Sequence, residues 1–132
     1  MKRKAWRIVR DKRSATAFDG EGAARVGGRW NLPGTPVVYT SEHRSLAALE
    51  TLIHLNPLIP FSYVIFEVSF DENWVETVPP PRKSWRTYPP GSVTQSIGSR
   101  WVKENRSAIL RVPSVVIPEE FNLLLNPRPP DF

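Results

Sequence analysis

The sequence predicts an α+β fold, a largely antiparallel sheet with a few helices, formed as a single domain over residues 1–132. Segments of alternating apolar and polar residues outnumber those with helical spacing. The short connections between them suit hairpins better than helical crossovers. A chain of 132 residues is also the size of one domain able to bury a real core.

Residues 5–10 alternate apolar or bulky side chains with arginine, which predicts a half-buried strand with Trp6 and Ile8 on one side and Arg7 on the other. From 14 to 36 periodicity vanishes, and Gly20, Gly22, Gly27, Gly28 and Gly34 punctuate a loop long enough to suggest function. Residues 36–40 read as a short strand, and Ser41 as the N-cap of a helix reaching about Leu55. In that helix Leu46, Leu49, Leu52 and Ile53 form one stripe, while Glu50 and His54 lie along its border, so that Glu50 can be partly buried and still face a cleft. Asn56-Pro57 ends the helix.

Residues 63–70 form a strong strand with Val64, Phe66, Val68 and Phe70 on its core face, and 74–78 suggest another. A proline-rich connection, 79–90, carries Arg82, Lys83, Trp85 and Arg86. Thr94 is placed to cap a short helix with Ile97 and Trp101 on one side. Residues 108–112 and 115–117 read as strands meeting at Pro113-Ser114, and the apolar run Leu123-Leu124-Leu125 precedes a turn-rich tail. With 14 prolines and 7 glycines the chain stays under the roughly 25–30% of low-complexity sequences, and five tryptophans are interleaved with the prolines, so ordered loops are expected.

The absence of cysteine excludes disulfides, thiolate zinc sites and cysteine nucleophiles, and only His43 and His54 offer imidazole. The Gly-x-Ser-x-Gly elbow, the phosphate-binding loop and the His-Glu-x-x-His motif are missing. A net charge of +5 suits an anionic partner, whether nucleic acid, phosphorylated metabolite or acidic protein. The basic N-terminus is not followed by an apolar signal core, and no run approaches the roughly 18 apolar residues of a membrane span, so a cytoplasmic location is expected.

Several residues carry two readings each. Gly27-Gly28-Arg29-Trp30-Asn31 lets backbone approach a ligand while Arg29 forks onto a phosphate or carboxylate, or it is a tight turn beside a core tryptophan. Tyr39 fills the core with its hydroxyl at the edge, or meets a ligand there. A partly buried Glu50 needs a cation or ligand, or is paired with His54. Ser114, like Ser107 and Ser96, either bonds a ligand or caps a turn. Lys2, Arg3, Lys4, Arg10, Lys12 and Arg13 form a nucleic-acid surface or a solvated basic terminus.

In order along the chain stand Trp6-Arg7-Ile8-Val9, Phe18-Asp19-Gly20-Glu21-Gly22-Ala23, Gly27-Gly28-Arg29-Trp30-Asn31, Val38-Tyr39-Thr40-Ser41, Ser45-Leu46-Ala47-Ala48-Leu49-Glu50 and Val112-Pro113-Ser114. Together they resemble the RES-domain family, named for its arginine, glutamate and serine, and the resemblance runs from about Trp6 to Asp131. It implies an ADP-ribosyltransferase-like fold, a toxin of a bacterial toxin–antitoxin pair, and NAD+ as substrate rather than cofactor. It carries the family's arginine onto Arg29, with Arg7 second, its tyrosine onto Tyr39, its glutamate onto Glu50 and its serine onto Ser114, with Ser107 as fallback. Pro129 stands where members tend to have a histidine.

The resemblance therefore implies Glu50, Arg29 and Tyr39 as catalytic residues, and Arg7, Arg29, Tyr39 and Ser114 as NAD-binding residues. The acceptor of ADP-ribose is left open among water, phosphate and a protein side chain. No metal is implied. The partner implied is an Xre-like helix-turn-helix antitoxin, through which any nucleic-acid contact would run. The rival reading is a basic RNA-binding or RNA-cleaving toxin using the N-terminal cluster, residues 82–86 and exposed tryptophans.

Overall fold

In the computed structural model, which describes residues 1–53, 62–79, 85–86 and 90–127, six strands form one sheet. They are β1 (Lys2–Arg10), β2 (Val38–Ser41), β3 (Tyr63–Asp71), β4 (Val75–Thr77), β5 (Ile109–Pro113) and β6 (Phe121–Leu125). Their order is β3-β1-β2-β6-β5-β4, antiparallel throughout except for the β4–β5 pair. The helices are α1 (Glu21–Val26), α2 (Arg44–Ile53) and α3 (Ser92–Glu104). The α+β architecture agrees with the sequence reading.

The alternation in β1 and β3 is realised as one long ladder from Lys2↔Asp71 to Arg10↔Tyr63. It sets Ala5 and Arg7 opposite Val68 and Phe66 on one face, with Phe18 meeting the Phe66 ring edge-on at 5.2 Å. Between β1 and β2 the pairing is reduced to Trp6↔Ser41, so the sheet forks there. Beyond the fork, β2, β6 and β5 are buried on both faces. Leu124 packs with Trp30, Val37, Trp101, Leu110 and Val112 on one side, while Leu123 and Leu125 pack with Ala5, Val38, Phe70 and Ile109 on the other. The unbroken leucine run is thus an interior strand, for which an alternating pattern would be wrong.

Helix α3 lies against the backbone of Trp30. A Cβ on Gly98 would fall 1.7 Å from the Trp30 carbonyl oxygen, so only glycine permits the contact. Ser99 Oγ accepts the Leu32 N–H at 2.9 Å, and Gln95 Nε2 donates to the Gly28 carbonyl at 3.1 Å. Trp101 Nε1 donates to Ser107 Oγ at 2.8 Å, and Ser107 donates to the Ile109 carbonyl at 2.9 Å, which ties the end of α3 to β5.

Four local expectations need correction. Ser41 is not a helix cap: it ends β2, its hydroxyl donates to Asn122 Oδ1, and α2 opens at Arg44. Thr94 lies inside α3, which opens at Ser92 after Gly91 and runs for 13 residues. Residues 115–117 are not a strand, because Ser114 Oγ accepts the Val116 and Ile117 N–H groups at 3.0 and 3.2 Å and turns the chain. The glycine-punctuated stretch after β1 also contains a 3-10 turn (Asp11–Thr16) and α1. His54, the expected helix end near Leu55, Arg82, Lys83 and Pro129 lie outside the described residues.

Gly98→Ala is expected to cost about 3 kcal/mol or more in urea unfolding, because backbone rather than a yielding side chain blocks the new methyl. Gly22→Ala, in α1 with nothing within 4 Å of the added Cβ, is expected instead to stabilise by about 0.5–1 kcal/mol. Equal effects at the two positions would contradict the packing described.

Candidate active site

The glycine-rich segment closes on itself after α1. Gly27, at φ 77°, ends the helix, and Gly28 N–H donates to the Asn31 carbonyl at 3.0 Å. Asn31 is fully buried: its Nδ2 donates to the carbonyls of Ala23 and Thr35, each at 3.0 Å, and its Oδ1 accepts the Tyr39 hydroxyl at 2.5 Å. The same phenol oxygen accepts the Trp30 N–H at 3.2 Å. Gly28 must be glycine because a Cβ there would sit 2.7 Å from the Tyr39 hydroxyl. Tyr39 therefore latches the whole segment to β2. Burial pushes its ionisation well above the usual phenol range, a shift only partly offset by the Trp30 N–H and the Arg29 charge.

Arg29 is half-buried, and its Nη1 donates to the Trp85 carbonyl at 2.9 Å. The Trp85 ring is tilted against Trp30, centroids 6.2 Å apart, and Arg86 Nη2 donates to the Val115 carbonyl at 3.0 Å. This part of the proline-rich connection thus reaches both the arginine loop and the turn after Ser114. Arg7 uses the fork in the sheet: Nε donates to the Ala17 carbonyl at 2.6 Å and Nη1 to the Tyr39 carbonyl at 2.8 Å. Burial lowers its pKa and the nearby Asp19 carboxylate opposes that shift.

Two residues along β2 from Tyr39, about 7 Å on the same side-chain face, a second polar group begins. Ser41 donates to Asn122 Oδ1 at 2.8 Å, and Asn122 Nδ2 donates to Glu50 Oε2 at 2.5 Å. Ser114 Oγ donates to Glu50 Oε1 across a longer 3.5 Å. Ser41, Asn122 and Ser114 are all buried, while Glu50 on α2 is half-buried. Register explains the meeting, since Ser41↔Asn122 and Asn122↔Val112 place β2, β6 and the end of β5 side by side.

The structure thus brings Glu50 and Ser114 together and gathers Arg7, Arg29 and Tyr39 around one residue of β2. Ser107 is elsewhere, holding the Trp101 indole. Sequence reasoning missed Asn122 and gave Ser41 the wrong task. A lone asparagine beside a leucine run was the available signal, since a buried amide needs partners. A separate groove of about 560 Å³, lined by residues including Lys2, Arg3, Lys4, Phe70, Arg111 and Leu123, contains none of Arg7, Arg29, Tyr39, Glu50 and Ser114 and opens on the face of the sheet opposite Tyr39, Ser41 and Asn122. Trp30 and Trp101 are buried, Trp6 and Trp85 half-buried, and only Trp74 is exposed.

A family model described as RES domain matches residues 4–132. The Prs ADP-ribosylating toxin of Sphingobium sp. is 42% identical over 134 residues, covering 96% of this chain and 83% of that protein. A protein named Toxin Res from Yersinia enterocolitica is 36% identical over 130 residues, covering 96% of this chain and 86% of the relative. Among solved structures, the crystal structure of the M. tuberculosis MbcT-MbcA toxin-antitoxin complex matches with a TM-score of 0.69 at 18% identity, covering 95% of this chain and 74% of that one, which is a likeness of fold.

Tyr39→Phe would leave Asn31 Oδ1 without its hydroxyl donor and Trp30 N–H without its acceptor, at a cost of about 1–3 kcal/mol. Because the folded phenol is harder to ionise than the unfolded one, its contribution is fully present below the ordinary value of 10.0 and is lost as pH rises above it. Urea titrations across alkaline pH should show wild-type stability falling more steeply than that of Tyr39→Phe; parallel profiles would contradict the buried-phenol assignment.

Proposed function

This chain belongs to the RES domain family, and from that premise we propose that it is a toxin that binds NAD+ and breaks the nicotinamide–ribose bond. The observation that carries the reading is a half-buried carboxylate, Glu50, held by the Asn122 amide and faced by the Ser114 hydroxyl. The strand β2 that carries Ser41, at the far end of this chain of bonds, also holds the glycine-arginine loop through Tyr39 two residues earlier. A carboxylate so placed suits a reaction that builds positive charge.

Cleavage of that bond gives the ribose oxocarbenium character, and nicotinamide leaves as a neutral amide without needing a proton from an acid. Glu50, ionised, would stabilise the developing cation and hold a ribose hydroxyl, an interaction stronger in the transition state than before it. Arg29 would exchange the Trp85 carbonyl for the pyrophosphate, replacing a neutral acceptor with a charged, bidentate one. Arg7 adds a second cation at the fork. The Tyr39 hydroxyl is already committed to the loop, so the residue would offer ring surface for stacking. Ser114 would shift its hydroxyl between Glu50 and ligand.

Transfer of ADP-ribose to a protein side chain is the second reading, favoured by the name of the Sphingobium relative, an ADP-ribosylating toxin. The RNA-binding reading loses support because four of the five tryptophans are withdrawn wholly or partly from the surface. As partner we propose an antitoxin with an Xre-like helix-turn-helix part, in line with the toxin-antitoxin complex among the matching folds.

The test is NAD+ concentration over time with purified protein, with and without phosphate, and with labelled NAD+ in the presence of candidate acceptor proteins. Wild type is expected to consume NAD+, with phosphate dependence or protein labelling naming the acceptor. Glu50→Gln is expected to lose about 100- to 1,000-fold in rate. NAD+ left intact in every arm, or equal turnover by Glu50→Gln, would overturn the reading.

A further inference from the structure

We infer that Asn122 is a positioning residue for Glu50, and that Ser41 acts one step behind it by fixing which way the Asn122 amide points. The inference rests on the reading of Glu50 as the carboxylate that meets the reacting sugar, and it adds the part of the protein that aims it.

The argument is one of donors and acceptors. An ionised carboxylate only accepts hydrogen bonds, so the atom of Asn122 facing Glu50 Oε2 at 2.5 Å must be the NH₂ group. The amide is nearly symmetric in shape, and turned over it would set its own oxygen against the carboxylate. Ser41 removes that alternative: its hydroxyl donates to the other end of the amide, Oδ1, at 2.8 Å. The hydroxyl hydrogen used there satisfies the amide oxygen and leaves the NH₂ for Glu50. Both supporting side chains are buried, Ser41 at 4% and Asn122 at 7% exposure, so water does not compete freely for either bond.

The scaffold behind them is stiff. Ser41 and Asn122 are directly paired across β2 and β6, and Thr40 beside them donates to the Leu123 carbonyl at 2.7 Å. Glu50 itself projects from a helix, and its three side-chain torsions give its carboxylate several rotamers to choose among. An amide fixed at one end by a strand hydroxyl selects one of those rotamers. Holding a reacting group in its productive geometry before substrate arrives is worth far more than the bond's own small net stability.

The test is steady-state NAD+ cleavage by Asn122→Ala, Ser41→Ala and Ser41→Thr, with Glu50→Gln alongside and thermal unfolding of each. Asn122→Ala is expected to lower kcat about tenfold or more while the KM for NAD+ stays within about twofold. Ser41→Ala should lose severalfold in kcat with the fold intact, and Ser41→Thr, which keeps a hydroxyl on the strand, should recover most of it. An inactive Glu50→Gln beside Asn122→Ala and Ser41→Ala at wild-type kcat would overturn this inference while leaving the role of Glu50 standing. Wild-type turnover by Glu50→Gln would remove the reading beneath it as well. Should Asn122→Ala not fold, the Ser41 pair still decides, since a loss in Ser41→Ala that Ser41→Thr does not recover would count against orientation by the hydroxyl.

Discussion

One buried hydroxyl organises the candidate site. Tyr39 gives its hydrogen to Asn31 and takes the Trp30 N–H, and through those two bonds the glycine-rich segment is fastened to β2. That latch, together with the Gln95 and Ser99 bonds from α3, sets where Arg29 stands. On the same strand the Tyr39 carbonyl receives Arg7, and two positions on Ser41 begins the chain of bonds that ends on Glu50. A four-residue strand therefore sets the relative positions of nearly every group the chemistry would need.

The arrangement concentrates polar groups where the protein has least water, which is costly unless every donor and acceptor is met. Asn31 and Asn122 answer that demand in the same way. Asn31 spends its amide on main-chain carbonyls and its oxygen on Tyr39, while Asn122 spends its oxygen on Ser41 and its amide on Glu50. One binds a loop to the sheet, the other a helix to the sheet. Around them the apolar packing is conventional, with leucines of β6 filling both faces.

Much of this was legible from residue order. The alternation of β1 and β3 and the half-buried position of Glu50 on α2 follow from periodicity, whereas of the expected apolar stripe Leu46 is buried but Leu49 and Leu52 are exposed, at 37% and 52%. The Gly-Gly-Arg-Trp-Asn block was conspicuous, yet the reason for its second glycine is a phenol arriving from eleven residues downstream, which no local pattern contains. Ser41 read as a cap because a serine before helical spacing usually is one, and cross-strand pairing with a residue 81 positions away won instead. Residues 115–117 had the composition of a strand, but the Ser114 hydroxyl took up two of their N–H groups. Gly98 of α3 serves as a contact surface for the Trp30 backbone, which the packed fold reveals and local sequence does not.

The pairing of β2 with β6 also sets a schedule. Chains are made from the N-terminus at roughly 5–20 residues per second, and Arg7, Arg29, Tyr39 and Glu50 all precede β3, whereas Ser114 and Asn122 come with the last two strands. A nascent chain short of β6 has a central strand with one edge unpaired and a helix whose carboxylate has neither of these two neighbours. Completion of the site thus waits on a long-range closure, the slowest kind of contact for a folding chain to make. In the order of synthesis, the groups of the candidate site are therefore brought together only once β6 has been made.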